Sequence, residues 1–219
     1  DVERDTTVRT HAAAEVLLDR HGVVTRGAVV AEGVPGGFAA VYRVLSAMEE
    51  TGRIRRGYFV EGLGAAQFAT AGAVDRVRAF AQAPDTDRDV GLAVVLAAAD
   101  PANPYGAALD WPDPVAADHD AHRPSRRAGA LTVLVDGQAA LFAERGGRTM
   151  LSFTDDPSVL AAAAAVLADQ VRLGRISSMT VTKIDGADTL ADRGPVMQAL
   201  TESGFSVTPR GLRLRSAPR

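Results

Sequence analysis

Three arginines and one tyrosine lie close together in the sequence, in a pattern suited to gripping a polyanion. They are Arg53, Arg55, Arg56 and Tyr58. Guanidinium groups bind phosphate in a bidentate manner, and a neighbouring aromatic ring offers a nucleobase a stacking surface. On a strand, alternation places Arg53 and Arg55 on one face and Arg56 with Tyr58 on the other. The pattern favours a nucleic-acid-binding hairpin, and the alternative is a solvated hairpin whose arginines pair with nearby glutamates.

The elements that must position these residues are three helices and a hairpin. Apolar spacing and glycine stops predict helices at 8–21, 26–31 and 37–51, and strands at Ile54–Val60 and Ala66–Thr70. This order is typical of a winged helix, in which the third helix faces the nucleic-acid groove and the hairpin is the wing. Arg26 on the second helix and Arg43 on the third extend the predicted basic track.

The rest of the chain predicts a second module of strands and helices. The sequence predicts strands at 90–99, 130–135, 138–144, 148–153 and 179–184, helices at 157–173 and 195–203, and an extended segment at 205–214. Asp136–Gly137 is a strong hairpin signal, and Asp100–Pro112 is a Pro-rich loop. The predicted fold class is therefore α+β, a winged helix followed by an α+β module with a curved or barrel-like antiparallel sheet.

The same patterns predict domain boundaries. The predicted parts are an upstream linker at 1–8, a winged-helix domain at 9–83, a linker with one buried strand and the Pro-rich loop at 84–129, and a barrel-like module at 130–219.

Asp100 is the catalytic candidate of the sequence, because it ends an apolar strand and lies near Tyr105 and Trp111. A carboxylate beside aromatic rings suits a base-removing or hydrolytic reaction, and the alternative role is to cap a turn. His119 and His122 resemble metal ligands, but they lack the helical context that would bring them together, so no metal site is expected.

Two further arginine groups have two interpretations each. The tail set is Arg210, Arg213, Arg215 and Arg219. It suits either nucleic-acid contact or protection of an edge strand by charge. The set Arg123, Arg126 and Arg127 lies in a polar stretch and suits either a phosphate contact or a solvated surface.

Composition excludes several classes of protein. The 219 residues carry a net charge of −3, 47% hydrophobic residues and no cysteine. These values exclude collagen-like, coiled-coil and wholly disordered chains, as well as a disulfide framework or a thiol nucleophile. Apolar runs are too short to span a bilayer. With no signal peptide, we expect a cytoplasmic protein, and the start at Asp1 suggests a piece of a longer chain.

Nucleotide-binding and common hydrolase motifs are missing from the sequence. It contains no GxxxxGK[ST] loop, no GxGxxG after a strand, no GxSxG elbow and no HExxH. The Gly-rich stretch Gly33–Gly37 has no lysine after it and predicts only the turn into the third helix. We therefore expect no cofactor in this chain.

Four stretches carry a family resemblance. They are residues 24–69, 97–112, 146–156 and 208–215. Together they resemble the C-terminal end of the long-form bacterial Lhr proteins, large ATP-dependent helicase-related proteins, with an actinobacterial character. The resemblance implies an upstream superfamily 2 helicase core that uses ATP and Mg²⁺, translocates 3′ to 5′ on single-stranded DNA and unwinds duplexes that include RNA–DNA hybrids.

The resemblance extends to DNA glycosylases built from tandem winged helices and a β-barrel. It implies a last winged helix within 9–70 and a barrel-like module within 90–215. Those enzymes use a Gln-apolar-Gln motif, whereas this chain reads Gln67–Phe68–Ala69.

The functional prediction is an accessory nucleic-acid-binding module of a DNA repair helicase. Its expected partners are single-stranded DNA or an RNA–DNA hybrid and the helicase core of the same chain. One alternative is a glycosylase-like module that removes a base such as uracil. The other is a homo-oligomerisation module that uses the apolar helix face at 161–168, although that face suits packing against its own sheet equally well.

Overall fold

The computed structural model describes residues 2–81, 91–116, 123–191 and 193–216. The chain divides into two compact units, the first built from residues 1–87 with 107–110 and the second from 88–106 with 111–219. Within the described ranges, no helix combines the length and the apolar character needed to cross a bilayer.

The first unit contains three helices, a small sheet and a closing helix. Its elements are α1 Val2–His21, β1 Val23–Val24, α2 Arg26–Ala31, α3 Gly37–Glu50, β2 Arg55–Gly57, β3 Gln67–Ala69 and α4 Ala71–Ala81. Thr25 begins α2 as predicted, since its hydroxyl accepts a hydrogen bond from the Ala28 N–H at 3.2 Å. Helix α1 begins at Val2, so the described residues of the predicted linker at 1–8 are helical, and the linker boundary itself stays a prediction.

The core of this unit lies between α1 and α3. Apolar side chains of α1, such as Leu17, pack against Val41, Leu45 and Met48 of α3, and Leu45 is fully buried. Strands β1, β3 and β2 form an antiparallel sheet in that order. Strands β2 and β3 pair from Arg55↔Ala69 to Gly57↔Gln67, so the predicted hairpin is confirmed with shorter strands. We call residues 55–69 the wing.

The second unit is a mixed α+β module. Its elements are β4 Ala93–Ala97, β5 Leu131–Val135, β6 Gln138–Ala143, β7 Thr149–Ser152, α5 Pro157–Arg172, β8 Met179–Val181, β9 Lys183–Ile184, β10 Ala187–Asp188, α6 Pro195–Glu202, β11 Ser206–Thr208 and β12 Gly211–Leu214. Asp136 and Gly137 both have positive φ angles, and they form the tight turn that their sequence predicts between β5 and β6.

The strands of this unit form two sheets. The larger sheet has the order β10-β9-β7-β6-β5-β4, and the smaller has the order β11-β12-β8. In the described part of the chain the larger sheet is open, so a closed barrel is not found and the barrel-like expectation is not confirmed. Its strands are antiparallel except for β7 and β9, which pair in parallel.

Two predicted strands are divided in the structure. Thr182 separates the predicted strand 179–184 into β8 and β9, which belong to different sheets. The predicted extended segment 205–214 is a hairpin of β11 and β12. Gly211 begins β12 with a φ of 112°, and a Cβ atom there would lie 2.1 Å from the Val181 carbonyl oxygen. The close approach of β12 to β8 therefore requires glycine at this position.

Helix α5 packs its apolar face into the unit's own core. Asp156 caps its first turn, and hydrogen bonds from the Ser158 hydroxyl and then from the Ser158 and Val159 N–H groups lower the pKa of this carboxyl. Ala163, Ala164 and Leu167 are fully buried against the sheet. The alanine-rich face at 161–168 is thus occupied within the chain, as the second interpretation of that face predicted.

Candidate nucleic-acid interface

An open groove lies between α2 and α3, the helices that carry Arg26 and Arg43. It has a volume of 860 Å³, and Phe38 and Tyr42 form part of its wall together with both arginines. The side chains of Arg26 and Arg43 are exposed and make no hydrogen bond or ion pair within the described residues. We call this feature the α2–α3 groove. Its two cationic groups remain available to an external anion.

Arg56 lies over the ring of Tyr42, which lines this groove, and near the ring of Phe68, which is buried in the core. Its guanidinium carbon is 5.6 Å from the centroid of Tyr42 and 5.9 Å from that of Phe68. Arg56 and Phe68 face each other across β2 and β3, and Tyr42 contacts both Phe38 and Phe68. A guanidinium on aromatic faces keeps its charge and its N–H donors, and the stacking contributes about 0.5–1 kcal/mol at an exposed site. Arg56 therefore extends the cationic surface of the groove onto the wing.

Arg53 has a different environment from the other two arginines of its cluster. It follows α3 in a Schellman motif, in which Gly52 has a φ of 74° and the Arg53 N–H donates to the Met48 carbonyl at 3.0 Å. This motif directs the Arg53 side chain to α1, where Nη2 lies 3.0 Å from the Glu15 carboxylate. The glutamates near Arg53 in the sequence, at positions 49, 50 and 61, were the partners considered, and the actual partner is Glu15. The charge of Arg53 is thus partly neutralised.

Arg55 and Tyr58 lie on the outer part of the wing. Arg55 is exposed, lies on the face opposite to Arg56 and has no partner among the described residues. Tyr58 follows β2 and is 62% exposed. Its hydroxyl accepts a hydrogen bond from the Gly62 N–H at 3.1 Å, which holds the ring at the wing's turn. The six predicted residues therefore divide into a groove set of Arg26, Arg43 and Arg56, an outer set of Arg55 and Tyr58, and the paired Arg53.

Comparison with known proteins shows which family model and which relatives match this chain. Residues 3–89 match the family model of the winged-helix domain of large helicase-related protein. A Mycolicibacterium smegmatis protein named Lhr helicase/probable uracil glycosylase is 57% identical over 218 residues, which cover 97% of this chain and 14% of that protein. An Escherichia coli protein named Lhr helicase/uracil glycosylase is 40% identical over 212 residues, which cover 94% of this chain and 13% of that protein.

The chain belongs to the Lhr family. It spans about one seventh of the length of the two curated Lhr relatives. This is consistent with its predicted identity as one region of a long Lhr protein.

Gln67 of this Lhr chain has a structural role that sequence reasoning missed. It is fully buried in β3, and its carbonyl oxygen accepts hydrogen bonds from the Phe59 and Val60 N–H groups at 3.0 and 2.8 Å. Its amide nitrogen donates to the carbonyls of Val60 and Gly64, both at 2.7 Å. The amide thus binds the two sides of the wing's turn to each other. A polar residue between the apolar neighbours of a predicted strand was the available signal.

Asp100 of the Lhr chain caps a turn. Its Oδ1 accepts a hydrogen bond from the Ala102 N–H at 2.8 Å, which is the alternative role predicted for it. The rings of Tyr105 and Trp111 stack on each other with centroids 6.0 Å apart. The carboxylate therefore has a structural contact, and a catalytic role for it remains a prediction.

Arg126 holds the same loop from the other side. Its guanidinium donates to the carbonyls of Asn103 and Tyr105 at 2.6 and 3.2 Å, and to those of Ala99 and Asp100 at 3.3 and 3.1 Å. Four carbonyl acceptors occupy donors on both terminal nitrogens of Arg126, so Arg126 is a structural clamp, and the phosphate contact suggested for its set stays a prediction.

Side chains of metal-binding type do not cluster in the described part of this Lhr chain. Within residues 2–81, 91–116, 123–191 and 193–216, no three His, Asp or Glu side chains come together as a metal site would require. His119 and His122 lie outside the described residues.

Proposed function

We propose that this chain is an accessory nucleic-acid-binding module of an Lhr helicase, and that the α2–α3 groove with the wing is its contact surface. The observation that carries the proposal is that Arg26 and Arg43 lie in the groove without an ion-pair partner among the described residues. Arg56 lies beside them on the Tyr42 ring. A basic groove on a winged helix suits the phosphates of a nucleic-acid strand, and the exposed Tyr58 ring suits base stacking.

The proposed ligand is single-stranded DNA or an RNA–DNA hybrid, delivered by a helicase core elsewhere in the same protein. That core would hold ATP and Mg²⁺ and move 3′ to 5′ during DNA repair. The residues described here do not fit an ATP site, because the Gly-rich turn before α3 leads to Phe38 rather than to a lysine and a hydroxyl residue.

The first prediction tests the groove by combining Arg26→Gln, Arg43→Gln and Arg56→Gln. We expect the affinity for a labelled single-stranded oligonucleotide to fall at least tenfold, because three phosphate contacts are lost. The slope of log K against log salt should fall by about 2, since each contact on a single strand contributes about 0.7. Fluorescence anisotropy over a salt series measures both quantities.

The matched control is Arg78→Gln, which removes an arginine that pairs with Asp75 on α4. This control should bind as the unmodified chain does. An unchanged affinity and an unchanged salt slope in the triple variant would reject the groove as the contact surface. Substituting an RNA–DNA hybrid for the single strand in the same series determines which ligand the module prefers.

A second candidate function is base excision, which is favoured by the names of both Lhr relatives. Asp100 is the carboxylate that would stabilise a cationic sugar after base loss. Incubation of the chain with a uracil-containing strand should then leave an abasic site, which alkali converts into a strand break, and Asp100→Asn should abolish this break. Absence of the product in the unmodified chain would end this candidate.

A further inference from the structure

A second cationic cleft lies in the second unit, on the exposed face of the sheet formed by β11, β12 and β8. Its volume is 570 Å³. Four arginines line it, namely Arg148, Arg210, Arg213 and Arg215. We call it the arginine cleft. Three of these arginines belong to the tail set of the sequence, whereas Arg148 immediately precedes β7 and joins them only through the fold.

Strand register explains why these side chains share one face. Arg213 lies opposite Thr180, and the neighbouring pair Leu212↔Val181 points the other way into the core, where both residues are buried. Alternation then places Arg215 beside Arg213, and Ser178 and Thr182 beside Thr180. The floor of the cleft is thus the polar face of this sheet, which carries arginines and hydroxyl groups. The opposite face of the same sheet is apolar and packs into the core.

Arg148 is brought to the cleft by backbone pairing between the two sheets of this unit. Its carbonyl accepts hydrogen bonds from the N–H groups of Thr182 and Lys183, at 2.8 and 3.0 Å. The Thr182 hydroxyl donates to the same carbonyl at 3.1 Å. These contacts fix the backbone of Arg148 and leave its exposed guanidinium at the wall of the cleft.

The charges of the cleft are not balanced by its own lining. None of the described residues that line it is an aspartate or a glutamate, and the side chains of its four arginines make no hydrogen bond or ion pair to described residues. The Nε of Arg213 is buried and has no hydrogen-bond partner. A buried donor without an acceptor is unfavourable, and an oxygen-rich anion in the cleft would supply one.

We propose that the arginine cleft is a second phosphate-binding site, which holds the sugar–phosphate backbone of a single nucleic-acid strand. Four guanidiniums with hydroxyls suit several phosphate oxygens at once. No aromatic residue is among the described residues of its lining, so the cleft binds the backbone without reading bases. The anion site follows from the cleft alone, whereas nucleic acid as the source of the phosphates rests on the proposed function.

The second prediction tests the cleft in the full chain. The probes are a ten-nucleotide oligothymidine and, separately, pyrophosphate. We expect the Arg213 Nε–Hε resonance to shift on addition of the oligothymidine. We also expect Arg213→Gln with Arg215→Gln to weaken oligothymidine binding about fivefold to tenfold and to lower the salt slope by about 1.4, because two contacts are lost.

Two further variants keep this test independent of folding and of the groove. Arg148→Gln alters an exposed side chain and should weaken binding in the same direction. The matched control Arg175→Gln, an arginine outside the cleft that donates to Gln170 at 3.3 Å, should have no effect. The triple groove variant should leave the Arg213 shift in place, so that failure of the groove and failure of the cleft are separate results.

Two outcomes would overturn the proposal. An Arg213 resonance that neither probe moves, together with unchanged binding in the double variant, would show that the cleft holds no phosphate. A shift with pyrophosphate and none with oligothymidine would assign the cleft to a free phosphate ligand instead of a strand.

Discussion

Gln67 shows how much one side chain can decide at the residue scale. Its amide satisfies two N–H groups and two carbonyls of the wing's turn, and all of its hydrogen-bonding capacity is used there. A buried amide occupied in this way has no free group for a ligand. Gln67, which stands at the first glutamine of the Gln-apolar-Gln pattern, therefore stabilises the turn of the wing in this chain.

The third prediction is that Gln67→Leu destabilises the first unit. Four backbone groups lose their partners, and we expect the free energy of unfolding to fall by about 2–4 kcal/mol, because water can reach only some of these groups. Urea unfolding followed on the methyl resonances of Leu45 measures this change. The exposed Gln198→Leu should change stability by less than about 0.5 kcal/mol. An unchanged midpoint for Gln67→Leu would mean that these bonds contribute nothing.

The residues of the candidate sites were predictable to different degrees. Arg26, Arg43 and Arg56 were named as candidates from residue type and element order, and their role in binding stays a prediction. The partner of Arg53 was not predicted, since the Schellman turn at Gly52 directs it to a helix 38 residues earlier in the chain. Arg148 was also missed, because only sheet pairing with residues distant in the sequence brings it to the arginine cleft.

At the element scale, a cluster of charges joins the end of α1 to the end of α2. Glu32, the C-cap of α2, accepts a hydrogen bond from Arg20 and lies 3.2 Å from His21 Nε2. The hydrogen bond from Arg20 is the main cause that holds the pKa of Glu32 below its ordinary value of 4.5, with a smaller contribution from His21. The ionised form of Glu32 therefore stabilises this junction of helices.

The fourth prediction concerns the pH dependence of this junction. Because the folded-state pKa of Glu32 is lowered, its contribution is complete above pH 4.5 and is lost as the pH falls through the lowered value. Glu32→Gln should lower the free energy of unfolding by about 0.5–1 kcal/mol at neutral pH and by almost nothing at pH ~3.

Urea unfolding at the two pH values, followed on Leu45, measures the difference between the Glu32→Gln variant and the unmodified chain. Glu50→Gln, an exposed glutamate, is the control and should show no such dependence. A loss that is equal at both pH values would contradict an ionic origin.

Local elements followed from the sequence where one residue determines a backbone conformation. Thr25 predicted the start of α2, and Asp136–Gly137 predicted the turn between β5 and β6. The division at Thr182 was not predictable, because the two halves of one apolar run pair with strands that are distant in sequence. Sheet partners depend on such contacts, and this is also why the larger sheet is open among the described residues where a curved or barrel-like sheet was expected.

At the scale of the whole molecule, the position of charge matters more than its total. The chain has a net charge of −3, and 23 of its 24 basic residues are arginines. Exposed charges act over a screening length of about 8 Å at physiological salt, so an unpaired cationic groove attracts a polyanion although the chain is acidic as a whole.

The fifth prediction follows from this screening. Asp113→Asn, Asp155→Asn and Glu202→Gln remove three exposed carboxylates outside both candidate sites and raise the net charge from −3 to 0. At about 150 mM salt, we expect oligonucleotide affinity to change less than about twofold, because none of the three residues lines the groove or the cleft and exposed charges are screened over about 8 Å. Anisotropy measures it, and a tenfold gain would show that total charge governs binding.

The glycine at position 211 limits how the arginine cleft can change over generations. A methyl group there would collide with the Val181 oxygen and force apart the two strands that carry Arg213 and Thr180. Arg148, Arg210 and Arg215 are exposed, so we expect their exchange for other side chains to leave the sheet intact, whereas an exchange of Gly211 would not. Substitutions of the arginines can therefore change which ligand the cleft binds, whereas the sheet beneath them requires glycine at position 211.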